Sequence, residues 1–150
     1  MIEALAAALV VTAGGDFAQL KQIAGSWKAK TTSVSYAVMS ADTALVETYA
    51  LGSGHETLSV FHPAGPTVMV THYCAQGNQP RLKLESATPG HWVFTFFDAT
   101  NLSSPAASHL VRLELELSAD GKRLKRIETY EENGKREATA LELERVGASR

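Results

Sequence analysis

Residues 109–146 read HLVRLELELSADGKRLKRIETYEENGKREATALELERV, and this stretch decides the fold. Apolar and polar residues alternate along it with the two-residue period of β-strands that bury one face. The dipeptides Asp120-Gly121 and Asn133-Gly134 interrupt the alternation, and both are typical of two-residue β-hairpin turns. The stretch therefore predicts three consecutive antiparallel strands, at 109–117, 122–131 and 135–146.

The same alternation continues upstream in short segments that turn residues separate. Glycine, proline and asparagine mark these turns, as in Gly77-Asn78 and Pro89-Gly90. The further predicted strands are 26–32, 35–39, 44–51, 56–62, 67–74, 81–86 and 91–98. Many short strands joined by tight turns form an antiparallel meander, and a long meander closes because closure removes its exposed edges. We predict an all-β fold, a closed antiparallel meander barrel of about 8–10 strands with a short N-terminal helix.

The predicted helix precedes the first strand. Apolar residues at Phe17, Leu20 and Ile23 follow helical spacing over two turns. Asp16 is a candidate N-cap in front of them, and Gly25 is a candidate stop behind them. After Gly25 the helical period does not return with any strength.

Composition limits the functional classes. The 150 residues suit one domain, and the net charge of −2 gives no attraction to nucleic acid. The one basic cluster, at 122–126, precedes several glutamates, so we interpret it as a solvated hairpin of mixed charge. Cys74 is the only cysteine, which excludes an intrachain disulfide. We expect no nucleic-acid partner, no cofactor, and either a monomer or a homodimer.

The N-terminus carries an apolar run at residues 4–11, too short to span a bilayer. Small or apolar residues follow it where a signal peptidase cleaves, although Glu3 stands where a signal has basic residues. We divide the chain into a signal-like or disordered segment, 1–15, and a barrel domain, 16–150. A periplasmic or secreted location is favoured, or a cytoplasmic one if the segment is not a signal.

Alternation also predicts which polar groups face the barrel interior. On three strands it places Glu47, His72, Cys74 and His109 among apolar neighbours. Such groups need hydrogen-bonding partners or a water-filled cavity, because burying them alone costs several kcal/mol. Trp92 begins an aromatic row on a further strand, which is either the wall of an apolar pocket or plain core.

Gly25-Ser26-Trp27 after a short helix resembles the start of the calycin superfamily, which contains the lipocalins. In that superfamily the tryptophan closes one barrel end against a basic residue of the last strand, which implies Arg145 here. Four further parts of the chain are similar to a group of bacterial lipocalin-like proteins: Ala44–Thr48, Thr71–Leu82 with its Thr-His-Tyr-Cys and Asn-Gln-Pro-Arg motifs, Phe97–Leu102, and His109. The resemblance implies a barrel of eight to ten strands, often exported, but no ligand or reaction.

Two clusters carry the candidate chemistry. His72 and Cys74 share one strand face, and His109 would complete a metal or haem site with them. The alternative is a polar network in which His72 bonds to Glu47 or Tyr36. Near the barrel mouth, a second cluster either orients a ligand or makes turns and a surface ion pair: Asn78, Gln79 and Arg81.

We therefore expect a protein that binds a small apolar or amphipathic molecule in the barrel cavity. The alternatives are a haem or metal protein, or an enzyme, that uses His72 and His109, and a protein-interaction module with a filled barrel. No catalytic residue and no resident metal are predicted. The expected ligand contacts are Tyr36, Glu47, His72, Cys74, Asn78, Gln79, Arg81, Trp92 and His109.

Overall fold

Ten antiparallel strands follow one short helix in the computed structural model, which describes residues 13–147. The helix α1, Ala13–Leu20, continues as a single 3₁₀ turn, Lys21–Ile23. The strands are β1 Gly25–Lys28, β2 Ser33–Met39, β3 Ala44–Tyr49, β4 Thr57–Ala64, β5 Thr67–Tyr73, β6 Gln79–Thr88, β7 His91–Thr100, β8 His109–Leu117, β9 Arg123–Glu132 and β10 Lys135–Arg145. Each predicted strand has its counterpart in this set.

The sheet is a closed meander. Every strand pairs with its neighbours along the chain, and β1 pairs with β10, where Trp27 lies opposite Arg145. The all-β closed barrel predicted from the alternation is confirmed. One end of the barrel carries the connections β1–β2, β3–β4, β5–β6, β7–β8 and β9–β10, and we call it the loop end. The opposite end carries α1, and we call it the helix end. Among the described residues, no helix combines the length and apolar character needed to cross a bilayer.

The helix end is sealed by α1 and by two residues that the sequence analysis paired. Phe17, Leu20 and Ile23 bury their side chains in the barrel core. The Trp27 indole Nε1 donates to the Ile23 carbonyl at 2.8 Å, and the Arg145 guanidinium lies 4.2 Å from the centre of the Trp27 ring. The predicted contact between Trp27 and Arg145 is therefore present.

Arg145 also holds the chain before the first strand. Its nitrogens donate to the carbonyls of Gln22, Ala24 and Gly121 at 2.9, 2.7 and 2.8 Å. A Cβ at Gly25 would lie 2.9 Å from Arg145 Nη1, and the φ of Gly25 is +132°. Glycine is favoured there because a φ of +132° strains any L side chain, and a Cβ would in addition displace the Arg145 guanidinium.

Two expectations for the N-terminal region differ from the structure. Asp16 is not an N-cap, because α1 already includes Ala13 and places Asp16 inside the helix. Residues 1–12 of the signal-like segment lie outside the described residues, and 13–15 belong to α1.

A β-bulge in β8 reverses one predicted orientation. The pairing with β9 shifts between Leu110 and Arg112, so alternation does not continue through this point. Leu110 pairs with Tyr130 and is fully buried in the core. His109 pairs with Glu131 and lies on the opposite face of the sheet from Leu110. The prediction that His109 faces the lumen is therefore wrong.

Candidate functional site

A buried ion pair crosses the lumen. Arg126 on β9 donates from Nε to Oε2 of Glu47 at 2.9 Å and from Nη2 to Oε1 at 2.8 Å. The Arg126 side chain is 1% exposed and that of Glu47 is 0% exposed. Arg126 also contacts Glu128 and lies 5.2 Å from the centre of the Tyr49 ring. The basic cluster at 122–126 was predicted to be solvated, but one of its arginines points into the lumen.

The Glu47 carboxylate is saturated with donors. Tyr36 donates to Oε2 at 2.6 Å, and Ser59 donates to Oε1 at 2.9 Å. With the two bonds from Arg126, each carboxylate oxygen accepts two hydrogen bonds, about as many as its lone pairs allow. The site residues Tyr36 and Glu47 of the sequence analysis are thus in direct contact.

Burial and charge oppose each other at Glu47. Burial works to raise the Glu47 pKa, but the positive charge of Arg126 and the hydrogen bonds from Arg126 and Tyr36 outweigh it and lower the pKa to about 2. The carboxylate therefore stays ionised at neutral pH. Burial raises the pKa of Tyr36, so its phenol keeps its proton and donates to Glu47.

The hydrogen bonds of His72 determine its tautomer. Ser59 gives its single proton to Glu47, so the 2.9 Å contact between Ser59 Oγ and His72 Nδ1 requires Nδ1 to donate. Burial lowers the His72 pKa to about 4, and the imidazole is neutral. Its Nε2 is consequently an unprotonated acceptor, directed toward Tyr130 at 3.3 Å.

Tyr130 and Cys74 complete the chain of contacts at the loop end. With Tyr130 Oη donating to His72 Nε2, the Cys74 thiol donates to Tyr130 Oη across 3.6 Å. Cys74 is partly exposed. A single directed relay thus runs from a rim thiol to a buried carboxylate: Cys74, Tyr130, His72, Ser59, Glu47.

His109 lies apart from this relay. Its Nδ1 donates to the Ala107 carbonyl at 2.6 Å, and its ring lies 5.0 Å from that of Phe96. It lines a hollow of about 380 Å³ at the loop end, which we call the His109 hollow. The other lining residues are Phe96, Leu102, Ser104, Pro105, Val111, Glu131 and Arg136.

The predicted rim residues mainly tie loops together. Asn78 Nδ2 donates to the Ser108 carbonyl at 3.0 Å, and Gln79 Oε1 accepts from Thr100 and Asn101. Arg81 forms a two-pronged ion pair with Asp98 on the outer surface. The segments quoted for the lipocalin-like resemblance therefore meet here, and Arg81 makes the surface ion pair that was the alternative to a ligand role.

Trp92 belongs to the packed core. It is fully buried, and its Nε1 has no hydrogen-bond partner within residues 13–147. Phe94 packs edge-on against Phe61 with 5.4 Å between ring centres, whereas Phe96 is partly exposed. Apolar side chains of α1 and the strands form one cluster through the lumen. A ligand in the lumen would have to displace them.

The trio of His72, Cys74 and His109, considered above as an alternative metal or haem site, does not assemble. Among the described residues, the group of three histidine, cysteine or acidic side chains close enough to hold an ion is His91, Glu114 and Glu116. His91 Nε2 lies 2.6 Å from Glu114 and 3.9 Å from Glu116, on the outer face of β7 and β8. An ion pair accounts for these contacts.

Sequence reasoning missed three members of the polar layer: Ser59, Arg126 and Tyr130. In the alternation of β9, Arg126 and Tyr130 lie on the same face as Leu124, so the sequence did indicate that both point inward. Ser59 has no such signal, because a serine on a strand is ordinary on either face.

Comparison of the chain with protein-family models finds no match, and comparison with curated proteins finds none either. The barrel is compatible with a calycin-like fold, and the lipocalin-like family stays a prediction.

Proposed function

We propose that this protein binds a small amphipathic molecule in the His109 hollow, with His109 as the polar contact. The observation that carries the proposal is the free ring nitrogen of a buried imidazole. His109 is 5% exposed, and its Nδ1 proton is used by Ala107, so the Nε2 of the neutral ring is an acceptor. No described residue hydrogen-bonds to that nitrogen, which is not among the fully buried atoms that lack a partner. It is therefore the ring atom left to accept a hydrogen bond from water or a ligand.

The walls of the hollow suit such a ligand. Phe96, Leu102 and Val111 offer apolar surface, and Arg136 stands at the edge beside Glu131. The volume of about 380 Å³ lies within the range of small-molecule sites. The ligand class is thus an apolar chain or ring that carries one hydrogen-bond donor. The packed lumen supports a site between the loops and the wall over one inside the barrel.

Two isomeric probes test the proposal by NMR. Octanol carries an O–H donor, and heptyl methyl ether has the same atoms without the donor. We expect octanol to bind about fivefold more tightly, since one hydrogen bond contributes about 1 kcal/mol, and to shift the amide signals of Phe96, Leu102 and Val111.

The matched variants are His109→Phe, which keeps an aromatic ring against Phe96, and His62→Phe near the helix end. His109→Phe should abolish the preference for octanol, and His62→Phe should retain it. Equal affinities of the two isomers for the unmodified protein, or shifts centred on Phe61 and Phe94 in the lumen, would contradict the proposal.

A second candidate is a protein-interaction barrel, favoured by the packed lumen and an apolar pair on the outer wall. Leu58 and Tyr73 face each other across β4 and β5 and are 38% and 46% exposed. A second copy of the chain is the partner that this candidate predicts. If this candidate is correct, the unmodified chain self-associates in sedimentation experiments and Leu58→Glu abolishes the association. In addition, the chain does not bind octanol.

A further inference from the structure

Three metal-binding atom types converge where the directed relay reaches the loop end. Cys74 Sγ lies 3.6 Å from Tyr130 Oη, which lies 3.3 Å from His72 Nε2. A tetrahedral zinc ion with bonds of about 2.0 Å to oxygen and nitrogen and about 2.3 Å to sulfur separates its ligands by about 3.5 Å and about 3.3 Å along these two edges. The two observed distances therefore match these two edges of a coordination sphere.

The histidine is prepared for coordination through the correct nitrogen. Its Nδ1 proton is held by Ser59, which in turn bonds to Glu47, so the Nε2 lone pair is directed toward Tyr130. Histidines that ligate metals usually donate their other N–H to such a partner, which orients the ring and raises the basicity of the ligating nitrogen. Arg126 holds Glu47 in place in the same way.

We propose that Cys74, His72 and Tyr130 form a binding site for a divalent transition-metal ion of the zinc type. Coordination releases the thiol proton and the phenol proton to solvent, so a thiolate, a phenolate and a neutral imidazole balance the two charges of the ion. Thiolate and imidazole are donors that zinc and its neighbours prefer over magnesium or calcium.

Access and an open position fit this assignment. Tyr130 lines a hollow of about 500 Å³ whose lining includes Ser108, Asn133 and Lys135, and Cys74 is partly exposed. Of the three proposed ligands, Tyr130 is the one that lines this hollow, so an ion that enters from it meets Tyr130 first. Three protein ligands with one open position are the pattern of zinc sites that bind a further molecule. This site is separate from the His109 hollow and does not depend on the proposed function.

The single cysteine permits a selective test with cobalt(II) as a spectroscopic probe. Cobalt bound to a thiolate gives an intense charge-transfer band in the near ultraviolet, and in this chain only Cys74 can produce it. We expect the band to saturate at one ion per full-length chain and to disappear when zinc is added. Cys74→Ser should remove the band, and His72→Gln and Tyr130→Phe should each weaken cobalt binding at least tenfold.

Two matched controls separate this site from other surface groups. Tyr73→Phe changes an exposed tyrosine next to Cys74, and His91→Gln disrupts the outer cluster with Glu114 and Glu116. Both should leave the band and the affinity unchanged. A folded unmodified chain without the band at stoichiometric cobalt, or a band of equal affinity in His72→Gln and Tyr130→Phe, overturns the proposal.

A second measurement covers variants that fail to fold. In the unmodified chain, zinc should slow alkylation of Cys74 by iodoacetamide at least tenfold, and a chelator should restore the original rate. An alkylation rate that zinc leaves unchanged counts against the site even if no variant can be purified.

Discussion

Arg126 and Glu47 meet across the barrel although their strands are not neighbours in the sheet. Glu47 lies on β3, which pairs with β2 and β4, and Arg126 lies on β9, which pairs with β8 and β10. Their two hydrogen bonds, at 2.9 and 2.8 Å, therefore join opposite walls through the lumen. Both side chains are buried, so the pair stabilises the barrel only while both members are present.

Loss of one partner should destabilise the barrel strongly. Arg126→Met leaves Glu47 charged and unpaired, and we expect the free energy of unfolding in urea to fall by about 3–5 kcal/mol. Lys125→Met, at the neighbouring position on the outer face, should change it by less than about 0.5 kcal/mol. The double variant Glu47→Leu with Arg126→Met should be more stable than Arg126→Met alone. If the double variant is less stable, the cost does not come from an unpaired carboxylate.

Acid should weaken the fold through Glu47. Its pKa is about 2 in the folded chain against an ordinary value of 4.5, so the unfolded chain binds more protons between these values. The stability is fully present above about pH 4.5 and is lost as the pH falls toward 2, by about 3 kcal/mol at most. Urea midpoints measured across this range should fall steeply for the unmodified chain.

The matched pair for this titration is Glu47→Gln and Glu142→Gln, the latter an exposed glutamate. Glu47→Gln should be less stable at neutral pH but should show a shallower decline in acid. Glu142→Gln should follow the unmodified chain. Parallel declines in all three proteins would show that other carboxylates control the acid transition.

Ser59 should be important because it serves two buried groups at once. Ser59→Ala leaves the His72 Nδ1 proton without an acceptor and removes one donor from Glu47, and we expect a loss of about 1–3 kcal/mol. Ser35→Ala on the exposed face of β2 is the control and should be nearly neutral. Nitrogen-15 NMR of His72 should show the proton on Nδ1. A proton on Nε2 would contradict the directed relay.

Gly25 should tolerate no side chain because Arg145 occupies the space beside it. Gly25→Ala places a Cβ 2.9 Å from Arg145 Nη1, and Gly52→Ala, also at positive φ, meets nothing within 4 Å. Backbone strain of about 1 kcal/mol or more applies to both variants, and the φ of +132° at Gly25 lies farther from the left-handed region than the +83° at Gly52. Thermal unfolding should therefore show a larger loss for Gly25→Ala, and equal losses would mean that neither this φ nor Arg145 adds to the cost.

The strands were predictable because they depend on local patterns, and the contact between Trp27 and Arg145 was implied by the resemblance to the calycin superfamily. Two-residue alternation and Gly-containing turns are visible in any window of ten residues. The orientation of His109 was not predictable, because the bulge beside Leu110 adds a residue that alternation cannot register. The alternation of β9 places Arg126 on the buried face, but its charge predicts exposure to solvent. Its buried partner Glu47 lies on a strand that is distant in the sequence.

Local periodicity and turn residues predicted the strand segments, their meander order and the inward face of most apolar residues, and the bulge at Leu110 is where that periodicity failed. Which polar side chains contact one another in the lumen depends on the assembled barrel. Arg126 reaches Glu47, and Tyr130 reaches His72, across a barrel whose strand tilt and bulges set the level of every side chain. The position of each side chain along the barrel axis depends on all ten strands together, so no single segment of the chain determines it.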